Sequence, residues 1–169
     1  MTLVLGGAAS GKSRFAEGLI KARPPPWIYV ATARASDAEM TLKIKQHQQG
    51  RGPGWITLEA PTDLPAALKS VPSDALILID CLTLWLANIF LQKSDVDRLT
   101  HTFMTVAGEC KNPIVAVSNE VGHGIVPDNR PGRDFRVAQG ILNQRVAAQA
   151  DLVVFVTAGL PRVLKGTLP

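Results

Sequence analysis

Short, almost entirely apolar runs recur along the chain. Residues 75–80 read Ala-Leu-Ile-Leu-Ile-Asp, so every position is apolar until the acid. A run without polar alternation predicts a strand that is buried on both faces of a parallel sheet. Strands are predicted at residues 2–5, 27–32, 55–58, 75–80, 113–118 and 151–157.

The segments between these runs have the composition and spacing of helices. Ser36 and Glu39 have the spacing of a capping box at the start of the second predicted helix, and Thr62 is expected to cap the third. Three consecutive prolines end the first helix, because proline cannot continue it. Helices are predicted from residue 12 or 13 to 22, at 37–49, from the cap at 62 to about 70, and at 82–91, 96–110 and 133–150.

Strands that alternate with helices are typical of an α/β fold, in which helices flank a mainly parallel central sheet. Residues 119–132 are rich in glycine, proline and asparagine and are expected to form a long loop. No further strand or helix is expected in the tail that begins at Gly159. The length of 169 residues fits a single domain, 1–169.

Composition excludes several classes of protein. With 46% hydrophobic and 19% charged residues and a net charge of +4, the chain is neither disordered nor strongly basic. Lysines and arginines are spread along the chain, so charge alone does not indicate nucleic-acid binding. Cys81 and Cys110 lack metal-like spacing and are expected to be free thiols in a reducing compartment. The chain shows no signal-peptide pattern and no long apolar run, so a cytoplasmic location is expected.

The first predicted strand leads directly into a phosphate-binding motif. The pattern is Gly-x-x-x-x-Gly-Lys-Ser, with a strand before it and a helix after it, as a P-loop requires. Its backbone N–H groups would surround phosphate oxygens, Lys12 would reach the β- and γ-phosphates, and Ser13 would hold Mg²⁺. The alternative is a glycine-rich turn that matches by chance. The predicted nucleotide-binding residues of the loop are Gly6, Gly7, Ala8, Ala9, Ser10, Gly11, Lys12 and Ser13.

Asp80 ends the most apolar of the predicted strands. The carboxyl ends of parallel strands are where open α/β sheets bind ligands, and a P-loop enzyme needs a second acid for Mg²⁺. We therefore predict Asp80 as a metal residue. The alternative is that its side chain caps the helix that begins near Leu82.

Among the three histidines, His47 has the most suggestive position. It lies on one face of the predicted second helix with Met40 and Ile44, near the C-terminal end. Three interpretations remain open from the residues alone: a helix C-cap, a hydrogen-bonded histidine at the edge of the core, or a nucleophile for a nucleotide α-phosphate. His101 is expected on a surface helix, and His123 in a loop that could line a pocket.

Together these residues resemble the bifunctional adenosylcobinamide kinase/adenosylcobinamide-phosphate guanylyltransferase family, over essentially the whole chain. The most specific part is 118–127, which reads Ser-Asn-Glu-Val-Gly-His-Gly-Ile-Val-Pro. The Glu39-Met40 pair, His47 and Arg51 add to it. Ala9 and Lys43 depart from the pattern, because arginine is common in the family at both positions.

The resemblance implies two reactions. A nucleoside triphosphate, ATP or GTP, first phosphorylates the aminopropanol hydroxyl of adenosylcobinamide. His47 then attacks the α-phosphate of GTP, releases pyrophosphate, and passes GMP to adenosylcobinamide phosphate. The resemblance makes His47 and Lys12 the catalytic residues and Ser13 and Asp80 the metal residues. It also implies that the nucleotide is lined by Ala31, Thr32, Ala33, Gln48, Gln49, Gly50, Arg51, Glu59 and Asp80.

The family further implies a recombinase-like P-loop core and a homotrimer. From the composition, no nucleic-acid partner and no membrane span are expected. The apolar segment 82–91 is either an interface helix of that trimer or an ordinary core helix. Asp80 and Glu120 both remain open as the general base of the kinase step.

Two rival functions remain. The first is a small-molecule or nucleoside kinase without a covalent step, which would make His47 a cap. The second is a recombinase-type ATPase module that binds nucleic acid. The chain has one tyrosine, three tryptophans and five phenylalanines and no basic stripe with interleaved aromatics, which disfavours the second rival.

Overall fold

A computed structural model describes residues 1–34 and 52–169. Among these residues, no helix combines the length and apolar character needed to cross a membrane. The helix predicted at 37–49 lies outside the described residues. The described strands are β1 (Thr2–Gly6), β2 (Trp27–Ala31), β3 (Trp55–Glu59), β4 (Leu76–Asp80), β5 (Ile114–Asn119), β6 (Leu152–Thr157) and β7 (Leu160–Lys165). The described helices are α1 (Lys12–Lys21), α2 (Leu64–Lys69), α3 (Leu82–Leu91), α4 (Val96–Glu109) and α5 (Arg130–Gln149).

The seven strands form one sheet in the order β3-β2-β4-β5-β1-β6-β7. Every neighbouring pair is parallel except β6 and β7. The prediction of an α/β fold with a mainly parallel sheet is therefore confirmed. Strand β5 lies between β1 and β4, so the strand that leads into the P-loop and the strand that ends in Asp80 are separated by one strand.

The central strands are buried on both faces, as their unbroken apolar runs predicted. In β4, Ile77 and Ile79 pack on one face of the sheet with the helices α2, α3 and α4. Leu76 and Leu78 pack on the other face with Ala16 and Ile20 of α1. Each such fully buried side chain contributes about 1.5–3 kcal/mol relative to an exposed one. The sheet is therefore a firm base for the loops at its carboxyl edge.

The cap of α2 differs from the prediction. Asp63, not Thr62, is the N-cap residue, and its carboxylate accepts a hydrogen bond of 3.0 Å from the amide of Ala66. The carbonyl of Thr62 instead accepts the indole N–H of Trp85 at 2.9 Å. Threonine and aspartate are both good caps, so the sequence pattern alone did not separate neighbouring positions.

Helix α5 begins three residues before its predicted start at Arg133. Asn129 caps it by accepting the amide of Gly132 at 2.8 Å, and Pro131 lies in the first turn. The cluster of asparagine, proline and glycine that indicated a loop is in part a helix start, where proline is well tolerated.

Strand β7 was not predicted at all. All six of its residues are exposed, its aliphatic residues do not alternate strictly with polar ones, and it contains a proline. Ala158 and Gly159 both adopt positive φ, 51° and 79°. This two-residue reversal joins β6 to β7 as an antiparallel hairpin, because such turns match the twist of the strands.

The apolar helix α3 is a core helix of this chain along one face. Leu82, Trp85, Leu86 and Ile89 are all completely buried within the chain itself. Leu91, at the end of the helix, is 80% exposed. The structure thus favours the interpretation of α3 as an ordinary core helix. The homotrimer stays a prediction.

Candidate nucleotide-binding site

The phosphate-binding motif forms the predicted connection between β1 and α1. Gly11 is the N-cap of α1 with a φ of 91°, and no side chain among the described residues caps the helix. The first amides of the helix are therefore available to an anion, which the helix dipole also favours. The ammonium group of Lys12 lies over the loop and donates to the carbonyl of Gly7 at 3.1 Å. This arrangement suits the phosphates of a nucleotide.

The loop is packed against the β6–β7 hairpin. The amide of Gly159 donates to the carbonyl of Ser10 at 2.8 Å. A Cβ atom on Gly11 would lie 3.1 Å from the Cα of Gly159. Ala9, the residue of this loop that departs from the family pattern, has a φ of 53°. The turn of the unpredicted hairpin therefore packs directly against residues 10 and 11 of the P-loop.

Gly6 must be a glycine for reasons of space. A Cβ atom there would lie 2.4 Å from the hydroxyl of Ser10 and 2.6 Å from the carbonyl oxygen of Val156. The serine side chain can rotate away, but the carbonyl belongs to the buried strand β6. At Gly7, by contrast, an added Cβ would meet no atom of residues 1–34 or 52–169 within 4 Å.

We expect Gly6→Ala to lower the free energy of unfolding by about 1–3 kcal/mol, as overpacked sites do. Because the loop must shift, we also expect nucleotide affinity to fall by about tenfold or more, which corresponds to roughly 1.4 kcal/mol. Thermal unfolding and isothermal titration with GTP measure the two effects. Gly7→Ala is the matched control. Equal effects of the two substitutions would contradict this account of the loop.

Asp80 lies at the carboxyl end of β4, as predicted. Its Oδ2 atom accepts a hydrogen bond of 3.1 Å from the hydroxyl of Tyr29 on β2. The N-cap position of α3 is occupied by Cys81, not by Asp80. The carboxylate is therefore placed at the sheet edge, and the geometry gives no support to the helix-cap alternative.

The pKa of the Cys81 thiol depends on its burial and on the charges around it. Burial raises the pKa of Cys81 to about 11, and the negative charge of Asp80 acts in the same direction. The positive charge of Lys12 acts on the same pKa in the opposite direction. The thiol is therefore neutral at physiological pH and is no candidate nucleophile. The P-loop lysine and the acid of β4 both act electrostatically on this one group.

The predicted residues after β2 also lie at this edge. Ala31 is paired with Asp80 on one side and with Glu59 on the other. The hydroxyl of Thr32 is fully committed: it donates to the carbonyl of Cys81 and accepts from its amide, both at 2.7 Å. Thr32 therefore joins the ends of β2 and β4 through its hydroxyl. Ala33 follows directly in the chain.

Glu59 is exposed at the end of β3, the edge strand. Four strand spacings, roughly 19 Å, separate β3 from β1. Glu59 and the P-loop therefore lie at the same edge of the sheet but four strands apart. His47, Gln48, Gln49, Gly50 and Arg51 lie outside the described residues.

A polar network under the end of β5 was assigned no role from sequence. The hydroxyl of Ser118 donates to Oδ1 of Asn143 at 2.7 Å, and Gln139 donates to both of them. Asn143 also donates to the carbonyl of Asn119, whose amide donates to the hydroxyl of Thr83. Asn119 is paired with Gly6, the first residue of the P-loop. The network therefore fixes the central strand beside the loop.

The segment after β5 is held firmly at its base. The amide of Glu120 donates to the carbonyl of Gly6 at 3.1 Å, and Oε1 of Glu120 accepts the amide of Gly122 at 2.6 Å. Arg136 of α5 donates to the carbonyls of Gly122 and Gly124. This loop therefore begins against the P-loop and is braced by α5.

The tip of the same loop is apolar and exposed. Ile125 is 98% exposed and Val126 is 60% exposed. The ring of His123 lies 6.1 Å from that of Phe155, measured between centroids. An ordered loop that presents large aliphatic side chains to solvent is typical of a binding surface. His101, as predicted, is exposed on α4.

Comparison with known proteins agrees with this geometry. Residues 2–164 match the profile of a family described as cobinamide kinase / cobinamide phosphate guanyltransferase. The chain is 42% identical over 169 residues to the bifunctional adenosylcobalamin biosynthesis protein CobP of Pseudomonas aeruginosa, covering 97% of this chain and 96% of that one. It is 37% identical to the corresponding CobU protein of Salmonella typhimurium, covering 95% and 97%.

Two solved structures share the fold. A protein of Pyrococcus horikoshii OT3 aligns with a TM-score of 0.59 at 8% identity, covering 99% of this chain and 87% of that one. The P4 protein of bacteriophage phi6, solved in complex with ADP, aligns with a TM-score of 0.52 at 12% identity, covering 95% and 51%. These likenesses concern the fold alone.

Proposed function

Because the chain belongs to the cobinamide kinase / cobinamide phosphate guanyltransferase family, we propose that it catalyses two steps of cobalamin biosynthesis. It phosphorylates the aminopropanol hydroxyl of adenosylcobinamide with ATP or GTP. It then transfers GMP from GTP to adenosylcobinamide phosphate, which gives adenosylcobinamide-GDP and pyrophosphate. The observation that carries the proposal is the span of the family match, residues 2–164, which contains every proposed site residue.

In the kinase step, the P-loop binds the phosphates of the nucleotide. Its backbone amides and the N-terminus of α1 contact the phosphate oxygens, and Lys12 neutralises the charge that develops on the transferred group. The acceptor hydroxyl attacks the γ-phosphorus, the bond from that phosphorus to the β-phosphate oxygen breaks, and the hydroxyl proton leaves. Asp80, at the end of β4, and Glu120, directly after β5, are the two candidate bases for this proton.

The hydroxyl of Ser13 and the carboxylate of Asp80 fit a magnesium ion. Both are hard oxygen ligands, and Mg²⁺ in such sites is held by one or two protein groups together with substrate phosphates. The contact from Tyr29 to Asp80 supports the fit, because it holds the carboxylate at the sheet edge. When bound, the ion neutralises phosphate charge.

In the guanylyl step, a nitrogen of His47 attacks the α-phosphorus of GTP. A phosphorus–nitrogen bond forms, the bond to the β-phosphate oxygen breaks, and pyrophosphate leaves. The phosphate of adenosylcobinamide phosphate then attacks the same phosphorus and releases the histidine. A neutral imidazole is a competent nucleophile near pH 7. Two displacements avoid holding both substrates in line at once. Lys12 and Arg51 would neutralise the charge on the pyrophosphate.

The proposed nucleotide lies along the carboxyl edge of the sheet, with its phosphates at the P-loop. Glu59, at the far end of that edge, can accept two hydrogen bonds from the guanine N–H groups, a donor pair that adenine lacks. Ala31, Thr32, Ala33 and residues 48–51 are proposed to line the nucleotide. The corrinoid would approach from the loop that carries Ile125, since that loop begins at the P-loop.

The test uses adenosylcobinamide, Mg²⁺ and GTP labelled either at the α- or at the γ-phosphorus. We expect γ-label in the product of the first step, α-label in the final corrinoid, and one pyrophosphate released per guanylyl transfer. Transfer of γ-label alone would instead identify a simple kinase. Hydrolysis of GTP without transfer of either label would contradict the whole proposal. The homotrimer and the cytoplasmic location stay predictions.

A further inference from the structure

Tyr29 is the only tyrosine in the chain. It lies in β2, and its hydroxyl donates to Oδ2 of Asp80 at 3.1 Å. The contact crosses between neighbouring strands on the diagonal, because Tyr29 is paired with Leu78, two residues before Asp80. The two side chains are 51 positions apart in sequence. No motif in the sequence connects them.

The tyrosine ring is held in place before any ligand binds. Tyr29 is only 6% exposed. The ring of Trp55 meets it edge-on, with centroids 6.1 Å apart and an interplanar angle of 81°. The ring of Trp27 packs against Trp55 in turn, with centroids 5.4 Å apart. An aromatic row across β2 and β3 therefore fixes the direction of the Tyr29 hydroxyl.

The contact lies on the face of the sheet that carries the P-loop helix. Tyr29 and Leu78 pack in the same cluster as Ala16 and Ile20 of α1. Side chains two residues apart in a strand point to the same face, so Asp80 shares the face of Leu78. The Tyr29 hydroxyl therefore contacts the Asp80 carboxylate on the face of the sheet that carries α1.

We propose that Tyr29 is a positioning residue that orients Asp80 toward the metal ion of the nucleotide complex. A hydrogen bond to one carboxylate oxygen limits rotation of the carboxylate plane, and outer partners of this kind typically change metal affinity by about 10–100-fold. The inference rests on the proposed metal role of Asp80. A purely structural tyrosine would leave metal affinity unchanged after loss of its hydroxyl.

The first test is the affinity for Mn²⁺ of the protein bound to guanosine 5′-(α,β-methylene)triphosphate, whose α–β bridge cannot be cleaved by the proposed nucleophile. Affinity is measured from the electron paramagnetic resonance signal of free Mn²⁺. We expect Tyr29→Phe, which keeps the ring, to weaken Mn²⁺ binding by about tenfold or more. Asp80→Asn is expected to weaken it at least as much. Trp27→Phe, which alters the aromatic row but keeps the hydroxyl, is expected to stay within about twofold of wild type, as a conservative change that loses no metal partner.

The outcomes separate the inference from its premise. If Asp80→Asn weakens binding and Tyr29→Phe does not, the positioning role is wrong and the metal role of Asp80 survives. If Asp80→Asn has no effect, both fail. An equal loss in Trp27→Phe and Tyr29→Phe would assign the effect to packing and overturn the positioning role.

A second test keeps the phenol hydroxyl at position 29. Because the chain has one tyrosine, 3-fluorotyrosine incorporated in place of tyrosine reports on residue 29 alone. We expect its fluorine resonance to shift when Mg²⁺ is added to the complex with the α,β-methylene nucleotide, and not to shift in the same experiment on Asp80→Asn. A wild-type resonance that is insensitive to Mg²⁺ would overturn the proposal.

Discussion

Lys12→Met is expected to reduce both the kinase and the guanylyltransferase rate by at least about a hundredfold, the usual cost of losing a preorganised charged donor. The two reactions attack different phosphorus atoms, but both use one phosphate loop. In the structure the ammonium group is already directed over that loop, 3.1 Å from the carbonyl of Gly7. Steady-state rates with labelled nucleotide, measured separately for each step, provide the measurement.

Lys21→Met is the matched control for this change. Lys21 lies in the last turn of the same helix and forms an exposed pair with Glu17 at 3.3 Å. An exposed i,i+4 pair contributes only about 0.3–0.5 kcal/mol, so we expect both rates to stay near wild type. If Lys12→Met spared either reaction to within about tenfold, the idea of one shared phosphate loop would have to be abandoned.

His47→Ala is expected to separate the two activities. Removing a nucleophile removes the covalent route, so guanylyl transfer should fall by at least about a thousandfold. Phosphorylation of adenosylcobinamide, which needs no histidine nucleophile, should stay within about threefold of wild type, a change below 1 kcal/mol in the barrier. Rates of the two half-reactions, assayed separately with the appropriate acceptor, measure the separation.

His101→Ala controls for the loss of a histidine as such, because His101 is exposed on α4. It should leave both rates unchanged. A parallel loss of both activities in His47→Ala would instead indicate a structural histidine. A wild-type rate of guanylyl transfer in that variant would favour direct transfer and the interpretation of His47 as a helix cap.

The sheet could be predicted from the sequence because its central strands have an unusually plain pattern. β4 is apolar at each of its first four positions and fully buried there. Such a run is typical of a strand buried on both faces inside a parallel sheet. β7 has the opposite character: it is stabilised by pairing with β6 through backbone hydrogen bonds and buries no side chain. A pattern of apolar residues therefore carried no signal for it.

The candidate site also contains some features that the sequence predicts and others that it does not. Gly6, Lys12 and Asp80 could be predicted because the chemistry of each is local to a motif or a strand end. The contact between Tyr29 and Asp80, and the network around Ser118, depend on residues brought together from distant parts of the chain. Ser118 and Gln139 are 21 positions apart, on a strand and the helix that covers it. No spacing rule predicts such pairs before the sheet order is known.

The mass of the intact protein after incubation with GTP and Mg²⁺ shows whether a covalent intermediate forms. We expect a gain of one GMP moiety on the wild-type chain, labile to acid and stable to base, located by peptide mapping at His47. The adduct should be lost on addition of adenosylcobinamide phosphate and absent from His47→Ala. A wild-type protein that carries out the kinase step but never gains GMP, or gains it at another residue, would contradict the account.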